Sequence, residues 1–278
     1  MTTSRMDCPT WGAASPTPWL AYMFKRTVGE LAKRPVLVTT GTSVAEAAAA
    51  MANHGVHILA VLAGRRIVGF VTERDMCHHL DVDLEPCMPV GELLDRSMPA
   101  VPRTTLVDAA VKLMLEKHAR HLLVLECAGG NLLGLITDRE LVDALAVDFM
   151  VENVTCQDLV RPDTVVAAPD ESVRTGLARM RERDVGSLLI LDGGRPSGMF
   201  TERDAITKIL GRPERLADPL ARHMTSPVIS VPTGAMIYKV ILYMRQKGVR
   251  RMAVVADDGN LAGILTQRHI LAYARRLD

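Results

Sequence analysis

At 278 residues, 48% hydrophobic and 23% charged, the chain is long enough for about two globular domains and too apolar for a disordered one. Its net charge of +1 and aromatic content of 4% argue against a nucleic-acid partner, a charged membrane surface or base-stacking platforms. The five cysteines, Cys8, Cys77, Cys87, Cys127 and Cys156, are odd in number and form no Cys-x-x-Cys pair, which reads as free thiols in a reducing compartment.

No apolar run approaches the ~20 residues of a membrane span. No basic stretch followed by an apolar core marks a signal peptide. The expectation is a soluble cytoplasmic protein without membrane insertion.

Residues 1–27 are read as an N-terminal arm. Pro9, Pro16 and Pro18 discourage regular structure there, while Trp11, Trp19, Tyr22 and Phe24 are apolar for a tail. Such an arm packs on its own domain or docks on a second subunit or partner.

From Val28 a repeated unit begins. Pro35-Val36-Leu37-Val38 reads as a strand. Ser43 with Glu46 forms a capping-box pair that starts a helix, and Val44, Ala47, Ala48 and Met51 give it one apolar face. Gly55 ends it. Ile58 to Leu62 is a second strand, Gly64-Arg65-Arg66 a hairpin turn, and Ile67 to Val71 a third strand. Glu73 to Leu80 is a second helix with acids in its first turn, where the helix dipole favours them. The unit is β-α-β-β-α.

The end of that unit, Gly69-Phe70-Val71-Thr72-Glu73-Arg74-Asp75, returns at Gly134–Glu140, Gly198–Asp204 and Gly263–His269, in steps of 65, 64 and 65 residues. A constant period of this kind marks an array of one repeated unit. Val107, Val173 and Ile237 match Val44, and Met114, Met180 and Met244 match Met51. The methionine stripe is read as core, since it lies on the face already carrying the valines. The stretches between units are short. Four units packed in pairs are expected, with residues 28–150 as one module and 151–278 as the second.

In the motif, Thr72 stands where a strand passes into a helix. Its hydroxyl can cap the helix or bind a phosphate oxygen beside the exposed N–H groups. Asp75 lies in the first turn, and its carboxylate suits two vicinal hydroxyls. Gly69 allows a ligand or a neighbouring backbone to come close. Arg74 adds a cation, and Val56 and Ile58 offer an apolar slot for a purine. The same residues also make an ordinary N-cap followed by a dipole-favourable acid. Asp75 and His79, at i and i+4, are spaced to share a metal, but no second ligand pair supports them, so no metal site is expected. No catalytic constellation is found, and the protein is not expected to be an enzyme.

The period, the β-α-β-β-α unit and the Gly-apolar-apolar-Thr-x-x-Asp motif resemble the CBS domain over residues 28–275. The Ser43–Met51 and Gly248–Val255 segments match its helix and second-strand patterns. The resemblance implies an α+β fold of four repeats in two Bateman modules. Each module would offer clefts for an adenosine compound: AMP, ADP, ATP or S-adenosylmethionine. It further implies that the motif Asp holds ribose, the motif Thr contacts phosphate, and basic residues approach from the partner repeat.

Carried over to this chain, Thr72, Arg74 and Asp75 with Val56 and Ile58 fit one site. Thr201, Arg203 and Asp204 with Val185 and Ser187 fit a second. Thr137 with Glu140 and Thr266 with His269 make weaker sites, the first by its longer acid and the second by loss of the acid. Arg120 with His121, and Arg250 with Arg251, stand where they would serve phosphates held by the partner repeat, which favours AMP, ADP or ATP, with or without magnesium, over S-adenosylmethionine. One nucleotide per module is expected, as a regulatory ligand and not a catalytic cofactor. The expected function is a sensor that controls a separate enzyme or transporter, itself a homodimer. The alternatives are a scaffold with vestigial sites and, disfavoured by the charge, a nucleic-acid binder.

Overall fold

The computed structural model describes residues 26–80, 85–95, 97–146, 149, 153–161 and 164–275. Residues 1–25, which carry most of the expected arm, lie outside the described residues. The first repeat contains α1 (Val28–Leu31), β1 (Val36–Thr39), α2 (Val44–His54), β2 (Ile58–Ala63), β3 (Arg66–Thr72) and α3 (Glu73–His79). The second has β4 (Ala100–Pro102), α4 (Val107–Glu116), β5 (His121–Leu125), β6 (Leu132–Thr137) and α5 (Asp138–Leu145). The third has α6 (Cys156–Leu159), β7 (Val166–Ala167), α7 (Val173–Glu182), β8 (Ser187–Asp192), β9 (Arg195–Thr201) and α8 (Glu202–Lys208). The fourth has β10 (Ser230–Pro232), α9 (Ile237–Lys247), β11 (Arg251–Val255), β12 (Leu261–Thr266) and α10 (Gln267–Ala274).

Each repeat builds one three-stranded sheet, its first two strands parallel and its last two an antiparallel hairpin. The capping box of Ser43 and Glu46 is formed, and Gly55 closes α2 in the left-handed conformation at φ 63°. The repeated valine, isoleucine and methionine positions of the first helices are all buried. These elements are written locally in the sequence, as a helical apolar stripe with its start and stop residues.

Two kinds of packing join the repeats. Sheets meet within a sequential pair: Ile58, Ala60 and Phe70 pack with Leu135, and Leu189 and Met199 pack with Ala253. Helices meet between pairs. One core merges repeats one and three, from Val44 and Met76 to Leu177 and Ile206. The other merges repeats two and four, from Val107 and Leu141 to Ile241 and Leu271. The four repeats therefore close into a single intrachain assembly. No helix among the described residues is long and apolar enough to cross a membrane.

The stretches read as junctions do more than connect. Each makes a short helical turn, at Val28–Leu31, Val90–Glu92, Cys156–Leu159 and Leu220–Arg222. Such turns are too short to show a period in sequence. The chain then bridges to the outer strand of the partner repeat: Lys33 to Leu135, Asp95 to Phe70, Arg161 to Ile264 and Thr225 to Met199. This explains the motif glycine, which admits neighbouring backbone. A Cβ at Gly134 would stand 2.7 Å from the Lys33 carbonyl oxygen, and one at Gly69 would stand 3.0 Å from that of Asp95.

Gly134→Ala should therefore destabilise the protein by about 1–3 kcal/mol, the usual cost of overpacking against backbone that cannot yield. Gly41→Ala, with nothing within 4 Å of the added Cβ, should be near neutral. Urea midpoints of the two variants beside the parent chain provide the comparison.

Candidate functional site

The four motif threonines cap the four helices that follow them. Thr72 Oγ1 accepts the Asp75 N–H at 3.3 Å, while its own N–H and hydroxyl donate to Asp75 Oδ2 at 2.8 and 2.7 Å. Thr201 and Asp204 repeat this at 3.2, 2.9 and 2.6 Å. Thr137 donates both groups to Glu140 Oε2, and Thr266 accepts the N–H of His269. The cap thus uses one carboxylate oxygen, and the copies differ in the fate of the other. Asp204 Oδ1 accepts Lys208 Nζ at 2.6 Å and Thr225 Oγ1 at 3.0 Å. Glu140 Oε1 pairs with Lys33 Nζ at 2.8 Å. Asp75 Oδ1 takes no hydrogen bond among the described residues. Burial, with the nearby charge of Asp95, raises the Asp75 carboxyl above its ordinary range despite its bonds to Thr72.

Each motif faces a cavity whose far wall comes from the partner repeat. The largest, of about 610 Å³, places Thr72, Arg74 and Asp75 opposite Met98, Pro99 and the Lys117–His121 stretch. Thr137 and Glu140 face Lys33–Val36 and His54–Ile58 across about 250 Å³. Thr201 and Asp204 face Thr225, Pro227–Ile229 and Gly248–Arg251 across about 220 Å³. Thr266 and His269 face Thr164, Val165 and Asp184–Ser187 across about 240 Å³.

This geometry redistributes the residues expected from sequence. Arg120 and His121 do reach the cavity of Thr72, and Arg250 and Arg251 that of Thr201. Val56 and Ile58, however, line the cavity of Thr137 and not that of Thr72. Val185 lines the cavity of Thr266, as does Ser187. The cause is the face-to-face stacking of sheets, which sets the entry of each second strand against the partner's motif. The apolar slot is therefore contributed across the pair.

Arg74 and Arg203 also have a role that their positions in the motif did not reveal. Arg203 donates Nε to Glu73 Oε1 and Nη2 to the Val56 carbonyl, both at 2.7 Å. Arg74 makes an ion pair with Asp184. In the fourth repeat, Arg268 reaches the Leu115 carbonyl at 3.4 Å. Arg120 holds Glu202 through both carboxylate oxygens, at 3.1 and 3.0 Å. All four tie one sequential pair of repeats to the other.

Glu73 and Glu202 are 2% and 3% exposed, so these are buried carboxylates meeting cations of the opposite pair. Burial is the largest influence on Glu202 and acts upward, but the charges of Arg120, Arg251, Arg250 and Arg74 overcome it and hold the carboxyl low. Glu73 is likewise held low against burial, by the His57 hydrogen bond and by Arg203. Burial pushes His57 down, so its neutral ring donates Nδ1–H to Glu73 at 2.7 Å. His121 is pushed down to about 3 by burial and by Arg250 and Arg120. Burial with the neighbouring Arg250 also brings Arg251 down to about 10. Sequence reasoning passed over Glu73 and Glu202 because an acid at the first helical position is ordinary. The available signal was Gly186, at the second-strand position held by His57, Arg120 and Arg250 in the other copies: a Cβ there would stand 2.8 Å from the Glu202 carboxylate.

The family described as CBS domain matches residues 28–82, 90–147, 156–211 and 220–276. Among curated proteins, the uncharacterized MK0525 of Methanopyrus kandleri is 32% identical over 123 residues, 44% of this chain and 63% of that protein. The uncharacterized MJ1404 of Methanocaldococcus jannaschii is 24% identical over 261 residues, 87% of this chain and 60% of that protein. The chain thus spans about three fifths of the length of these two relatives. The crystal structure of MJ1225 from Methanocaldococcus jannaschii superposes with a TM-score of 0.81 at 21% identity, covering 89% of this chain and 99% of that one.

The depressed Glu202 contributes stability that is fully present above the ordinary glutamate pKa of about 4.3. It is lost as pH falls through the lower folded-state value. Glu202→Gln leaves Arg120 without its partner and should cost about 3 kcal/mol at pH 7, the low end for a broken buried pair because Arg120 is partly solvated. In urea unfolding, the gap between parent and variant should narrow as the buffer is taken from pH 7 towards pH 3.

Proposed function

Since the chain belongs to the CBS domain family, with four matched repeats, we propose that it is a regulatory sensor of adenine nucleotides. AMP, ADP or ATP, with or without magnesium, is the ligand. Residues 28–150 and 151–278 act as two modules, and the output is read by a separate enzyme or transporter.

The observation that carries this reading is Oδ1 of Asp75, which takes no hydrogen bond among the described residues and stands beside a capping threonine in the largest of the four motif cavities. A half-buried carboxylate with an oxygen left over from its cap can accept from a pair of hydroxyl donors. Ribose hydroxyls supply them, and the phosphates extend towards Lys117, Arg120 and Arg250 on the far wall. Arg120 is already held by Glu202 of the other module. A phosphate in this cavity competes for that guanidinium and so alters a tie between modules. That competition gives ligand occupancy a mechanical output, because the ligand interacts differently with the two arrangements. The chain is proposed to act as a homodimer.

The second reading is a scaffold with vestigial sites. It is favoured by Asp204 and Glu140, whose remaining oxygens are taken by Lys208, Thr225 and Lys33.

A thermal-shift panel of AMP, ADP, ATP and S-adenosylmethionine, with and without magnesium, separates the two. Ligand at about a hundred times its dissociation constant adds roughly 2.7 kcal/mol, or several degrees at roughly 2–4 °C per kcal/mol. The sensor reading expects this shift with adenine nucleotides and its loss in Asp75→Ala. Absence of any shift at millimolar concentration supports the scaffold.

A further inference from the structure

Only two non-glycine residues among the described ones hold a positive φ, His118 and Asp184, both at 51°. They occupy one position of the repeat, just ahead of the second strand, where the first and fourth copies have Gly55 and Gly248 at 63° and 68°. The left-handed turn there carries a steric cost for any residue with a Cβ. Aspartate and histidine bear it better than most, but the turn itself asks for nothing more than glycine.

What the two side chains share is a motif arginine from the other half of the chain. Arg268 Nη2 lies 3.2 Å from His118 Nδ1. Arg74 makes an ion pair with the Asp184 carboxylate and donates Nη2 to the Asp184 carbonyl at 3.2 Å. Of these two clasps, that of Asp184 sets an anion on a cation, and Arg74 and Asp184 both line the Thr72 cavity. We propose that Asp184 is a guard anion of that cavity: it neutralises Arg74 from the opposite module, and it yields the guanidinium to the anionic group of an incoming ligand.

Exposure decides that this tie gives way before its neighbour. Glu202 is 3% exposed, and taking Arg120 from it leaves a buried carboxylate short of its partner. The Asp184 side chain is 76% exposed, so water solvates it once it is released, and an exposed pair of this kind is worth little to begin with. Arg74 keeps the need for a partner. Burial and the neighbouring charge of Arg120 hold its guanidinium below the ordinary arginine range, so its charged form gains from any anion within reach. A phosphate offers the guanidinium fork the same pair of oxygens as the carboxylate, with more charge. Asp184 thus opposes every anion that enters, and its release cuts a link between the first and third repeats.

The inference deepens the sensor reading of the Thr72 cavity and rests on it for the nucleoside alone, since the exchange at Arg74 needs only an anion. The test is isothermal titration of the full chain with AMP and with sodium phosphate. The chains compared are the parent, Asp184→Gly, Asp184→Asn, Arg74→Gln, the double variant Arg74→Gln with Asp184→Gly, and Asp75→Ala. Asp184→Gly keeps the turn, which Gly55 and Gly248 already make, and Asp184→Asn keeps the side chain without its charge. Both should bind AMP and phosphate about two- to fivefold more tightly than the parent, the worth of an exposed ion pair. The gain should vanish when Arg74→Gln is also present.

Unchanged or weaker binding in both Asp184 variants overturns the proposal, as does a gain that survives Arg74→Gln, or no binding of either anion to Asp184→Gly at millimolar concentration. AMP binding that is lost in Asp75→Ala but indifferent to Asp184 sinks this inference and leaves the sensor reading intact. Phosphate binding that tightens in the Asp184 variants, with no Asp75-dependent binding of AMP, upholds the guard and sinks the sensor reading.

Discussion

Four helices follow the four motifs, and each has an apolar face that no element of its own repeat covers. Burying those faces requires a helix from the other half of the chain, α3 against α8 and α5 against α10. That requirement fixes the assembly. It also brings helix N-termini, with their positive dipole ends, to the middle of the molecule together with the arginines of the second-strand entries. Glu73 and Glu202 answer this accumulation, each buried and each meeting a guanidinium from the opposite half. The cavities are what remains between the sheets once those contacts are made.

Four copies of one motif do not give four equal sites. Asp75 and Asp204 stand at the same position and cap their helices in the same way. What separates them is one turn further along, where Lys208 reaches back to Asp204 at i+4 and repeat one has His79 instead. Thr225, from the entry segment of the partner repeat, completes the closure. A carboxylate already held by an ammonium and a hydroxyl must lose those partners before it can receive a ligand's hydroxyls. The open copy starts without that cost.

Local features of the fold were legible because they are local. The capping box at Ser43, the left-handed Gly55 and the valine and methionine stripes are set by neighbours within a few residues. The repeat period extended them along the chain. The candidate sites were legible only in part, because each cavity joins residues of different repeats, as Thr72 with Arg120 and Thr137 with Val56. Val56 and Ile58 follow the first helix of their own repeat, and sequence places them with Thr72. Strand pairing sets them against Thr137 instead. Glu73 and Glu202 are disguised in another way, since an acid in the first turn of a helix has a sufficient local explanation. Only the tertiary structure gives them a second one. The cap reading of the Thr-x-x-Asp pair accounts for one carboxylate oxygen only, and the copies differ in the partners of the other.

The bridges from the entry segments bear on how finely the chain can be divided. In each sheet the first and third strands are the outer ones, and the third strand's edge is met by a residue from the partner repeat, as Phe70 is by Asp95 and Leu135 by Lys33. A single repeat cut from the chain would carry an open β-edge, a template for pairing with any other strand. Two consecutive repeats meet each other's third-strand edges, since Lys33 and Asp95 both lie within the first two. Such a half would still expose the helical faces that its counterpart buries. Its natural fate is to find another copy of itself, so a gene encoding two repeats would build from two polypeptides the ring that this chain closes alone.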